Sequence, residues 1–168
     1  MAVGNLEFIK SVEVTSSVSS IDVDNVFTDD YDVYFVTITG FSTTSTIQTS
    51  LNLRYINNSG VVSSSATYDR ANLFLNTQSA FGEDRATNET SYKFAPFDLT
   101  PENGNVAFYI YNPFDSSSYT FLNFQMASSR AAHFLGVKGI GVQKNAEAHR
   151  GFQILEELAR PFDEGQIN

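Results

Sequence analysis

The chain has 168 residues, 42% hydrophobic and only 17% charged, which fits one domain over 1–168 with a real core and a surface of uncharged polar groups. A formal net charge of −9 repels nucleic-acid phosphates and anionic lipid headgroups, so neither nucleic acid nor a membrane is an expected partner. The absence of cysteine excludes disulfides, thiolate zinc sites and a cysteine nucleophile.

The opening Met1–Phe8 lacks the basic start and apolar run of a signal peptide, and no apolar stretch approaches the roughly 20 residues of a membrane span. A soluble chain made in the cytosol is expected. Leu6, Phe8, Val12 and Val14 mark an opening apolar segment before a Ser-rich stretch. Period-2 alternation, the pattern of half-buried strands, then recurs throughout. In 31–40, Tyr34, Val36 and Ile38 share the face expected inward, while Val33, Phe35, Thr37 and Thr39 share the other. Phe35 makes that second face unusually apolar and suits contact with another subunit.

Residues 47–56 place Leu51, Leu53 and Tyr55 on one face and Asn52 and Arg54 on the other. Asn57-Asn58-Ser59-Gly60 is a turn, since Asn and Gly tolerate positive φ. Further strands are expected over 67–75 and 91–97, the latter ended by Pro96 and a 100–104 turn. The clearest strand is 106–111, where Val106, Phe108 and Ile110 alternate with Ala107, Tyr109 and Tyr111; Asn112-Pro113-Phe114-Asp115-Ser116 closes it. Segments 119–126, 134–142 and 151–158 complete the set. Only 146–158 competes as a helix, through Ala148, Phe152, Leu155 and Ala159, and Gly151 inside that run favours a strand. Strands at short regular intervals without a βαβ rhythm predict an all-β, single-domain jelly roll or related β-sandwich.

The order of several segments resembles a family of virion structural proteins of tailed bacteriophages, particularly phages of marine cyanobacteria. The resemblance is carried by 27–34 running into Val36-Thr37-Ile38-Thr39-Gly40, by Leu51-Asn52-Leu53-Arg54-Tyr55, by 103–105 running into Ile110-Tyr111-Asn112-Pro113-Phe114, by Ser117-Ser118-Tyr119-Thr120-Phe121 and by Gly151-Phe152-Gln153-Ile154. It implies a jelly-roll-like module at the end of a tail fibre or as a separate virion protein, located in the virion, with other virion proteins as partners and no catalytic motif. The end at Gly165-Gln166-Ile167-Asn168 reads as a strand just beginning, and no shaft precedes the domain. These two departures favour a free-standing head decoration or knob whose last strand is short or shared with a neighbour. The alternative is a tail-fibre or tail-tip module that recognises host surface glycan or protein. A homo-oligomer is expected, a trimer by preference, because closed assemblies protect sheet edges.

No residue set predicts catalysis or a cofactor. His133 and His149 have no second ligand at metal spacing and read as polar surface or edge residues. Asp22, Asp24, Asp29, Asp30 and Asp32 cluster before a strand, with Asp29, Asp30 and Asp32 the calcium candidates; a solvated acidic loop is the favoured reading, because EF-hand spacing is absent. Gly136-Val137-Lys138-Gly139-Ile140-Gly141 lacks the phosphate-loop order, and its glycines mark bends or close backbone approach. Glu83-Asp84 and Glu156-Glu157 are neighbours on strands and point to opposite faces. The recognition candidates are Phe35, Tyr109 and Tyr111, as partner contacts or as rings that stack on sugars.

Overall fold

A computed structural model describes residues 6–44, 48–78, 81–97, 104–130 and 133–158. The expected C-terminal strand beginning at 165–168 and most of the 100–104 turn lie outside those residues. Ten strands form: β1 (Ser20–Val23), β2 (Val33–Phe41), β3 (Thr49–Asn57), β4 (Tyr68–Asn76), β5 (Gly82–Glu89), β6 (Tyr92–Phe97), β7 (Gly104–Tyr111), β8 (Thr120–Arg130), β9 (His133–Gln143) and β10 (His149–Leu158). No helix occurs among the described residues. The fold is all-β, with a four-stranded sheet β1-β10-β3-β6 packed on a six-stranded sheet β2-β7-β8-β9-β4-β5.

The pairing is nested. β4 pairs β5, β3 pairs β6, β2 pairs β7 and β1 pairs β10, every pair antiparallel. These four rungs make one long ribbon, and rolling it brings β10 beside β3 and β9 beside β4. That winding is a jelly roll in which the strand between β2 and β4 is replaced by the three-stranded meander β7-β8-β9.

Local chemistry agrees with each element. Val106, Phe108 and Ile110 of β7 are buried, as the alternation requires, and so is Tyr34 on β2. Asn112 closes β7 at φ 52°, and Asp115 Oδ1 accepts hydrogen bonds from the Ser117 N–H and hydroxyl. Gly60 turns the chain at φ 79°, with Asn57 Oδ1 accepting from the N–H groups of Ser59 and Val61. The 149–158 segment is a strand because β1 lies directly on Gly151. A Cβ there would stand 2.4 Å from the Val23 carbonyl oxygen and 2.8 Å from Asp24 Cα.

Aromatic rings fill the core. Phe94 of β6 sits with its centroid 5.1 Å from both Phe108 and Phe124, and Phe108 meets Phe152 of the opposite sheet at 6.1 Å. Tyr92 crosses from β6 to the six-stranded sheet and donates to Asn72 Oδ1 at 3.3 Å. The glycines of β9 make room for these rings. A Cβ on Gly139 would lie 2.2 Å from the Phe124 ring, and one on Gly141 would lie 1.9 Å from the Tyr92 ring. The close-approach reading of this glycine run therefore fits its place in a strand.

Gly141→Val is expected to lower stability by about 1–3 kcal/mol through overpacking. Lys138→Val, on the opposite face of the same strand, should stay within about 0.5 kcal/mol of the parent. Urea unfolding midpoints measure both, and equal midpoints for the two variants would contradict the packing described.

Candidate interaction face on the six-stranded sheet

The two sheets present unlike outer faces. On the four-stranded sheet the outward side chains of β3 form a polar network. Asn52 donates to Ser91 Oγ at 2.9 Å and to Glu157 Oε2 at 2.7 Å, while Arg54 pairs with Glu157 Oε1 at 2.7 Å. Arg54 and Glu157 are partly exposed, whereas Asn52 and Ser91 are buried beneath them and Asn52 Oδ1 has no hydrogen-bond partner.

The six-stranded sheet differs. Register places Phe35, Tyr109, Asn123, Ile140 and Ala71 in one row across β2, β7, β8, β9 and β4. The next row toward one end holds Val33, Tyr111, Phe121, Val142 and Asp69. Toward the other end stand Leu73, Leu75 and Phe134. Val33, Phe35, Leu73, Leu75, Tyr109, Phe121, Phe134 and Ile140 are all exposed, Ile140 at 62%. A row of Thr37, Ala107, Gln125 and Lys138, with Thr37, Gln125 and Lys138 exposed, separates the aromatic rows from Phe134, and Leu73 and Leu75 on β4 link the two apolar parts.

The three residues singled out as recognition candidates come together on this face. Phe35 and Tyr109 ring centroids lie 4.8 Å apart, and Tyr109 and Tyr111 stack at 6.4 Å. Asn123 Nδ2 donates to the Tyr111 hydroxyl at 2.8 Å and fixes the ring. Sequence reasoning missed Phe121, Ile140, Leu73 and Phe134, although each is an apolar residue on the alternate positions of its own strand. Ion pairs are few on this face. Lys138 lies in its middle, and Asp69, Glu83 and Arg85 lie toward the β5 edge.

The acidic residues do not converge. Asp24 is bound by Arg150, at 2.8 and 2.5 Å, and this guanidinium holds its carboxyl below the usual carboxylate range. Asp30 accepts from the Thr28 hydroxyl, and Asp22 accepts from Gln153. Among the described residues no group of three or more His, Asp or Glu side chains is placed to hold a metal, so Asp29, Asp30 and Asp32 do not form a calcium cluster. Glu156 accepts from the Thr43 hydroxyl while Glu157 binds Asn52 and Arg54, so this pair does point to opposite faces.

One expectation is corrected. His149 is not a surface or edge residue but fully buried, stacked on Tyr55 at 4.7 Å with neither ring nitrogen hydrogen-bonded. Its place follows from β10 entering the sandwich beside β3, a long-range pairing invisible in local pattern. Burial pushes its pKa down to about 4. Comparison with protein-family models, with curated proteins and with solved structures finds no match in any of the three.

The buried imidazole makes stability depend on pH with a definite sign. The unfolded chain binds the proton near pH 6.5, the folded chain only near 4. The stability is therefore fully present above about 6.5 and is lost as pH falls toward 4. Between pH 7 and pH 5 the loss should be about 2 kcal/mol, and His149→Phe should remove most of it. Urea denaturation at the two pH values checks this; an unchanged pH slope in the variant would rule out His149 as the source.

Proposed function

We propose that this chain is a non-enzymatic structural component on the surface of a phage virion, a head decoration or knob-type module. It associates with copies of itself through the outer face of the six-stranded sheet. The observation that carries the self-association is the apolar face around Phe35, Tyr109, Phe121 and Ile140, set against a polar, internally bonded face on the other sheet. A cluster of exposed apolar side chains rimmed by polar residues is the kind of surface that marks protein–protein contact. The occupant is a second copy, because the face carries Lys138 and Arg85 against Glu83 and Asp69. It is locally close to neutral on a chain whose net charge of −9 resists other modes of approach. The virion assignment is supported by the resemblance of the ordered segments to tailed-phage structural proteins. A trimer remains the preferred closed assembly.

A second reading, a tail-fibre or tail-tip module that recognises host glycan, is favoured by one observation. The Phe35, Tyr109 and Tyr111 rings form a ladder on an exposed face beside the amide of Asn123. Rings with an adjacent amide suit sugar stacking.

Light scattering should give a mass that is a multiple of 18.6 kDa. Tyr109→Glu combined with Ile140→Glu should return it to the monomer with the β-type circular dichroism retained. A parent protein that is monomeric at high concentration would end the self-association reading. Antibody-gold labelling of intact particles tests location. Label over the head supports decoration, label confined to the tail favours the receptor reading, and absence of the protein from purified particles removes both.

A further inference from the structure

The most exposed apolar side chains of the described chain are not on the sheet. Leu6 is 84% and Phe8 78% exposed, and Ile9, Val12, Val14 and Val18 are exposed behind them. They belong to the extended segment 6–18, which precedes β1 and forms no strand. No backbone–backbone hydrogen bond ties it to the rest of the described residues. It is held by side chains alone: Glu7 accepts from the Tyr31 hydroxyl, and Lys10 Nζ donates to the Asp24 carbonyl oxygen. A chain of this kind gains nothing from its apolar residues in the isolated molecule. Its free backbone groups and period-2 apolar residues suit docking in an apolar slot.

Such a slot exists at the far corner of the large sheet. Leu75, Phe81, Ala127, Phe134 and Leu135 line a groove of about 380 Å³, with no charged residue among the described lining. Ser128 borders it on the inward face of β8, with its Oγ buried. The groove is continuous with the apolar face through Leu75 and Phe134.

The arm and the groove are at opposite corners of one molecule. Glu7 touches Tyr31, two residues before the Val33 end of β2, whereas the groove is in the Asn105–Ala127–Gly136–Leu75 row. Six residues along the strands and four strand spacings across the sheet separate them, about 20 Å in each direction. A knob and a hole at two different places are joined between copies, either by reciprocal exchange across a two-fold axis or head to tail, in a ring where the rotation closes.

We propose that the segment 6–18 of one copy docks by Leu6 and Phe8 in the Leu75, Phe81 and Phe134 groove of the next copy. The inference rests on the self-association reading above and names its second contact. Because the chain has no cysteine, introduced cysteines are its only thiols. Phe8→Cys and a size-tagged Phe134→Cys, produced together and treated with a short bis-maleimide, should give mainly the mixed cross-linked pair. In the parent background, Leu6→Asp with Phe8→Asp should weaken association at least about tenfold, since each apolar side chain removed from such a slot contributes that order. Cross-links only between two Phe8→Cys copies, or none while light scattering still reports an oligomer, would overturn the arm contact and leave the sheet-face reading intact. A parent that is monomeric at every concentration would remove both.

Discussion

The steric fit of Tyr92 over Gly141 and of Phe124 over Gly139 is the constraint from which much of the architecture follows. Two rings occupy space that inward side chains on β9 would otherwise fill. Only glycine at both positions lets β6 lie close across the middle of the six-stranded sheet, so that Phe94 reaches Phe108 and Phe124. The substitution also works outward. With inward positions 139 and 141 given to neighbours' rings, the apolar side chains Ile140 and Val142 of this stretch point away from the core. Core packing and outer-face character are thus two results of one strand's alternation.

The unlike outer faces have a physical consequence for assembly. Arg54, Asn52, Glu157 and Ser91 bond to one another on the small sheet, and desolvating the Arg54–Glu157 pair against a partner would cost more than it returns. On the large sheet the aromatic ladder is already ordered by ring contacts and by Asn123. Its side chains therefore lose little entropy on burial. Charge points the same way. Most of the described acidic residues lie off this face, and copies meeting through it, as proposed, would keep their like charges apart.

Legibility in the sequence tracked the range of the interaction involved. Alternation alone located Tyr34, Val36 and Ile38 on the inner side of β2, and Val106, Phe108 and Ile110 on that of β7, because one buried face imposes a period of two. It failed for β5, whose GEDRATNE holds Ala86 as its one hydrophobic residue. That strand exists because β4 offers it a hydrogen-bonding edge and because Arg70 pairs with Asp84 at 3.1 Å. It also failed at His149, polar by type and buried by a pairing with β3 nearly 100 positions away. The opening apolar segment is different again: Leu6, Phe8, Val12 and Val14 stand at alternate positions, yet 6–18 forms no strand. Of the candidate site, the sequence indicated Phe35, Tyr109 and Tyr111. The rest of the face emerges only when register brings separate strands into rows.

Register also bears on how copies would meet, because three of the four sheet edges, those at β5, β2 and β1, carry their own protection. β5 lines its edge with Glu83, Asp84, Arg85 and Glu89, charges that resist strand addition. β2 breaks its ladder with β7 between Ile38 and Phe41, where Gly40 takes φ 68° and the Asn105 side chain accepts its N–H. β1 is four residues long, too short to template an added strand well. Closure of a ring is therefore not needed to protect these edges, although that was the first reason to expect an oligomer. What remains uncovered in a single copy is side-chain surface: the aromatic rows, the groove at Leu75 and Phe134, and the extended residues before β1. In the proposed assembly these groups would join faces and leave the strand pairing of each copy unchanged.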